Sequence, residues 1–200
     1  MQFFDKNKIK SGFTIIETMI ATSLFLVVMV IGIGSLLNAN SISHRNTDER
    51  AVLDNLSFAL EEMSRNLRTG YSYHCEPNGE ALANAEKPKS CDLGYLIAFE
   101  DTHGSPDVLN DQWVYKIDSG TNGLNISKSI DSGASWIELV DTPNLIIDSS
   151  SGFSVLGAEP PPDDTNQPLV VIKIAGEIVS KDGNTSFSLQ TTVSQRLLDI

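Results

Sequence analysis

Glu17 is a carboxylate set at the mouth of an apolar run. Twenty uncharged residues follow it, Thr18 to Leu37, TMIATSLFLVVMVIGIGSLL. Within a membrane an ionisable side chain costs several kcal/mol unless it is paired, so such residues are rare and usually functional. The chemistry Glu17 offers is ion pairing in an apolar medium. A short basic stretch, Lys6, Lys8 and Lys10, ends at Gly12 just before it. The second reactive pair is Cys75 and Cys91, the only cysteines in the chain. In an oxidising compartment an even count at this spacing implies one disulfide; in a cytosolic protein the same two would be unrelated thiols. With no Cys-x-x-Cys and no Cys/His cluster, neither a zinc site nor a redox motif is supported.

Other chemistry finds little support. His44, His74 and His103 are scattered and share no motif. Asp101, His103 and Asp107 surround Gly104-Ser105-Pro106 and read as a solvated turn rather than a metal loop. Asp163, Asp164 and Asn166 lack the EF-hand spacing that calcium loops use. Gly-x-Ser-x-Gly, P-loop and His-Glu-x-x-His patterns are all missing. Trp113 and Trp136 read as strand aromatics belonging to a core. The net charge of −12 argues against a nucleic-acid surface, which would be basic, and reads as solubility. No catalytic residue, cofactor or metal is expected.

The elements that carry these residues begin with a membrane-length helix. Twenty apolar residues at 1.5 Å rise cover roughly 30 Å, the thickness of a hydrocarbon core. Lysines ahead of the span favour an N-terminus inside and a C-terminal domain outside. The run is too long for a secretory signal, whose apolar region is about 7–15 residues, and Ala39-Asn40-Ser41 matches a cleavage site only weakly. An ordinary signal anchor would leave Gly12 and Glu17 unexplained. His44, Arg45, Asp48, Glu49 and Arg50 mark the exit into water. Beyond them Val52, Leu56, Leu60, Met63 and Leu67 fall on one helical stripe, and Gly70 stops the helix. Unbroken from about Phe13 to Thr69, it would be roughly 85 Å long.

Ser11-Gly12-Phe13-Thr14-Ile15-Ile16-Glu17 resembles the processing site of type IV prepilins and type II secretion pseudopilins. The likeness is close from Lys6 to about Leu37 and extends to the rest of the chain only in architecture. It implies cleavage after Gly12 by a prepilin peptidase on the cytoplasmic side, and N-methylation of Phe13. Loss of residues 1–12 removes three lysines and Asp5, a net +2, so −12 becomes −14. It also implies that Glu17, at the fifth mature position, pairs with the amine of a neighbouring subunit during filament assembly. The physics agrees, because an α-ammonium at a helix start opposes the dipole and Glu17 lies at i+4 on the same face. A charge left unpaired in the filament core would penalise misregistered packing. Gly32 and Gly34 suit close helix packing and a helix that loosens on assembly equally well.

Tyr71 to Asp92 reads as a polar loop stapled by the cysteines. The remainder reads as strands: Trp113–Ile117 and Leu124–Ile126 about a turn at Thr121-Asn122-Gly123, then WIELV, NLIID and FSVLG. After the Pro-rich loop 157–168, LVVIKIAGEIVS and TSFSLQTTVS form a last hairpin, split by Lys181-Asp182-Gly183-Asn184. In it Phe187, Leu189, Thr191 and Val193 share a face. The expected fold is α+β and pilin-like, a long N-terminal helix packed on a C-terminal antiparallel β-sheet. Its parts are a leader (1–12), a transmembrane or filament-core helix (13–38), an amphipathic continuation (39–69) and a β-rich head (70–200). The hairpin arrangement is similar to J-type minor pseudopilins and some minor pilins. Such a subunit would pass once through a bacterial inner membrane with its head outside, then enter an extracytoplasmic filament. Its partners would be the peptidase, other pilin or pseudopilin subunits and the membrane, with no nucleic acid. The rival class is a membrane-anchored binding or enzymatic ectodomain.

Overall fold

A computed structural model of the chain describes residues 12–77, 85, 87–105, 108, 110–120, 123–142, 145–180 and 183–196. The leader lysines, Asp107, Thr121, Asn122, Lys181 and Asp182 therefore lie outside the described residues. Among the described residues one helix, α1 (Ile15–Thr69), precedes ten strands. The chain divides into two compact units, residues 1–46 and 47–200.

In the first unit α1 has no sided character. Phe13, Ile15, Ile20, Leu26, Val30, Ile33 and Leu37 are all exposed. Ile15–Ser43 is long and apolar enough to cross a membrane. Three of its hydroxyls are satisfied inside the helix: Thr18, Thr22 and Ser23 donate to the carbonyls of Ile15, Thr18 and Ile20 at 2.8–2.9 Å. Such back-bonding spares a polar group from facing lipid.

In the second unit the expected stripe is a core face. Leu56, Met63 and Leu67 are fully buried, Leu60 nearly so, and Ala59 joins them. Val52 packs partly against the same cluster. Gly70 ends the helix, its N–H donating to the carbonyls of Asn66 and Leu67 at 3.0 and 3.2 Å. Nothing larger fits there, since a Cβ would lie 2.3 Å from the Phe99 ring. The Arg68 carbonyl is capped from the far end of the chain by the Arg196 N–H at 3.0 Å.

The strands are β1 (Tyr71–Glu76), β2 (Cys91–Gly94), β3 (Leu96–Glu100), β4 (Trp113–Gly120), β5 (Gly123–Ser129), β6 (Ile137–Thr142), β7 (Leu145–Ile147), β8 (Gly152–Leu156), β9 (Leu169–Ser180) and β10 (Gly183–Ser194). They form two antiparallel sheets where the sequence suggests one. The first has the order β1-β3-β4-β5-β6, the second β10-β9-β8-β2 with β7 also on β9. The split arises where Tyr71–Asp92 was expected to be a loop. That segment opens as β1, with Tyr73, His74 and Cys75 buried, and closes as the start of β2. Only Tyr95 separates β2 from β3, so the chain changes sheet within one residue.

Both expected hairpins form. Ile117 faces Ile126 across β4 and β5, and Leu189 faces Ile174 across β9 and β10. On β10 Phe187 and Leu189 pack against the core and Val193 is buried. Residues 157–168 contain no strand or helix. One cluster unites the helix stripe with Ile97, Phe99, Tyr115 and Ile126 of the first sheet and Phe153, Val170, Ile172 and Ile174 of the second. Polar ties flank it: the Asn66 amide donates to the Tyr115 hydroxyl at 2.6 Å, and Lys128 pairs with Glu62 at 2.6 Å. Trp113 packs against Phe99 under the Lys128 ammonium, whereas Trp136 is not in the core and is 41% exposed.

Candidate functional site

Gly12, Phe13 and Thr14 precede the helix without regular structure, and Phe13 is 81% exposed. Around Gly12 the space is open, with no atom within 4 Å of where a Cβ would stand. The Gly12–Phe13 peptide is thus held by nothing in the described residues that would obstruct access.

Thr14 is the residue sequence reasoning passed over. Its carbonyl accepts the Glu17 and Thr18 N–H groups at 3.1 and 3.2 Å, and its Oγ1 accepts the Glu17 N–H at 3.4 Å. That is the N-cap role, and Thr14-Ile15-Ile16-Glu17 has the spacing of a capping box. The Thr-x-x-Glu spacing that signals this cap is legible in the sequence. Glu17 therefore sits at the third helical position, where the dipole favours a negative group. Its carboxylate is exposed and, among the described residues, meets no cation and no side-chain hydrogen bond. Gly12, Phe13 and Glu17 lie together at the helix start, with the carboxylate free to take a partner from outside the chain.

Cys75 and Cys91 stand at disulfide distance with Cα atoms 5.8 Å apart. The bridge closes the segment between them and also does more. Cys75 belongs to β1 of the first sheet and Cys91 to β2 of the second, so the bridge ties sheet to sheet. Gly94 makes room for it, since a Cβ there would come within 2.5 Å of the Cys75 sulfur.

The other polar residues that the sequence singles out sit in local structure. His103, exposed, meets Asp101 at 3.2 Å. Burial pushes the Asp101 carboxyl up, but hydrogen bonds from His103 and Thr102 outweigh it and hold it below the usual range. Asp164 Oδ1 accepts from the Thr165 and Asn166 backbone and the Asn166 amide, a self-contained turn. His74 is buried, with Nδ1 2.7 Å from the Lys87 carbonyl, and the side chain of His44 lies outside the description. Among the described residues no group of three His, Cys, Asp or Glu side chains is placed to hold a metal ion. No protein-family model, curated protein or solved structure matches the chain.

Proposed function

We propose that this chain is a structural minor pilin or pseudopilin. It is cut after Gly12 by a prepilin peptidase, methylated on Phe13 and assembled through α1 into a type IV pilus or type II secretion pseudopilus. The observation that carries the reading is the combination at the helix start: an accessible Gly12–Phe13 peptide, a capped helix, and a Glu17 carboxylate that opens an apolar surface and, like that surface, meets no partner among the described residues. In this reading the membrane holds the helix before assembly and neighbouring helices cover it afterwards. The head, built on the second half of the same helix, stays outside the cytoplasm, where the cysteine pair oxidises. The chain does no chemistry of its own.

Mass spectrometry of protein purified from cells with an active prepilin peptidase tests the processing step. The expected N-terminus is Phe13 carrying one methyl group. Recovery of intact Met1 would leave a membrane-anchored ectodomain as the better description.

A further inference from the structure

The corner between β3 and β4 buries polar groups that the fold leaves without partners. Glu100 ends β3 with no accessible surface, and neither carboxylate oxygen has a hydrogen bond of proper geometry. Gln112, just before β4, is equally buried, and neither of its amide atoms has a hydrogen bond of proper geometry. Asp111 adds a third group: its Oδ2 accepts the Ser105 N–H at 3.2 Å, while its Oδ1 is buried and unpartnered.

These groups are neighbours. Burial raises the Glu100 pKa, a poorly aligned hydrogen bond from the Gln112 side chain lowers it, and the Asp111 charge raises it again. The Tyr71 hydroxyl, which donates to the Gly104 carbonyl at 3.0 Å, is pushed up by burial and then by Glu100, Asp111 and Asp101. Glu100 Oε2 lies against Gly104, where a Cβ would come within 2.5 Å of it. A buried carboxylate next to another is strongly unfavourable as it stands. A proton on Glu100 would occupy one oxygen and leave Asp111 Oδ1 and the rest of the amide unsatisfied. A cation would serve all three side chains together.

We propose that this corner binds a divalent cation of the calcium class, with Glu100 and Asp111 as carboxylate ligands and the Gln112 side-chain carbonyl as a third. The donors are hard oxygens without thiolate or imidazole, which suits calcium and not zinc. Two carboxylates are few, so the expected affinity is that of weak extracellular sites, with Kd about 10⁻⁴–10⁻³ M. The ion would fasten the β3–β4 loop to the end of β3 in a compartment where calcium is abundant.

The test uses the full chain in detergent micelles, with terbium as a luminescent calcium substitute excited through Tyr71 and Trp113, alongside thermal unfolding in calcium and in EDTA. Terbium emission should appear, calcium should displace it, and calcium should raise the unfolding temperature. Glu100→Gln, which keeps shape and removes a charge, should stay folded in EDTA and weaken binding at least about tenfold, given how ligand charge sets affinity. Asp111→Asn provides the same reading should Glu100→Gln fail to fold. The proposal is overturned if wild type shows neither emission nor a calcium-dependent shift, in which case Glu100 is held neutral by its burial. A calcium response that survives in both variants overturns it too, because the ion then sits elsewhere. The assay reads the isolated chain, so its result does not depend on whether the chain enters a fibre.

Discussion

Along α1, apolar side chains between Ile15 and Leu37 point outward in every direction, whereas between Val52 and Leu67 most gather on one face against the core, with Phe58 left exposed. The backbone geometry is the same. What differs is where the partner comes from. The second stretch finds its partner within the chain, in two sheets that bring Phe99, Tyr115, Phe153 and Ile172 against the stripe. The first finds none among the described residues of its own unit, and it is long and apolar enough to cross a membrane. Charge follows the same division. Glu62 meets Lys128 within the fold, while the Glu17 carboxylate meets no cation among the described residues.

The comparison breaks most visibly under truncation of side chains. Leu67→Ala removes a fully buried residue and should lower head stability by about 2–5 kcal/mol in urea unfolding of the micelle-held protein. Leu26→Ala, in the exposed half, should leave the same transition unmoved. Equal losses from both would mean that the apolar half also has a partner within the chain. The sheet-to-sheet bridge comes next. Replacing both Cys75 and Cys91 with serine should cost about 3 kcal/mol by the loop-entropy estimate, read from the same transition without reductant. An unchanged midpoint would show that the sheets hold together without it.

The smallest effect belongs to a surface turn of the head. Hydrogen bonds from Ser135 and then Ser129 hold the Asp131 carboxyl at about 2, below its ordinary 3.8. A depressed carboxylate contributes stability that is present above the ordinary value and lost as pH falls through the depressed one. Asp131→Asn should therefore flatten the decline in head stability between about pH 4 and pH 2. A variant that declines as steeply as wild type would show that the turn does not titrate with the fold.

Most of the fold was legible because its signals are periodic. The helix stripe, the alternation on β10 and the β4–β5 hairpin all announced themselves by spacing. Legibility failed between Tyr71 and Glu100. There Tyr73, His74 and Cys75 are buried in succession, so β1 shows no alternation of polar and apolar residues to count. Leu96–Glu100 is buried at every position, and such a run gives no period by which to recognise a strand. Without β1, β2 and β3 the division into two sheets stays hidden, and with it the place of the cysteine bridge between them. At the helix start the types and spacing of Gly12, Phe13 and Glu17 were readable. Thr14 as the cap was equally readable and was overlooked. The corner at Glu100 was not readable, because a carboxylate at the end of an apolar run reveals its missing partners only when three residues from one loop are folded together.

Glu17→Ala tests the central claim most directly. Membrane insertion should survive, since the segment becomes more apolar, and cleavage should largely survive, since Gly12 and Phe13 are untouched. Association with co-expressed partner subunits in the membrane, and incorporation into the fibre, should both fall. Losing one member of a buried charge pair typically costs about 3–5 kcal/mol, two to three powers of ten in an equilibrium. Measuring pairwise association alongside fibre incorporation covers a tip position, where only the following subunit would meet Glu17. Undiminished association and undiminished incorporation would contradict the account, and would leave Glu17 as a residue that does no more than sit at a capped helix start.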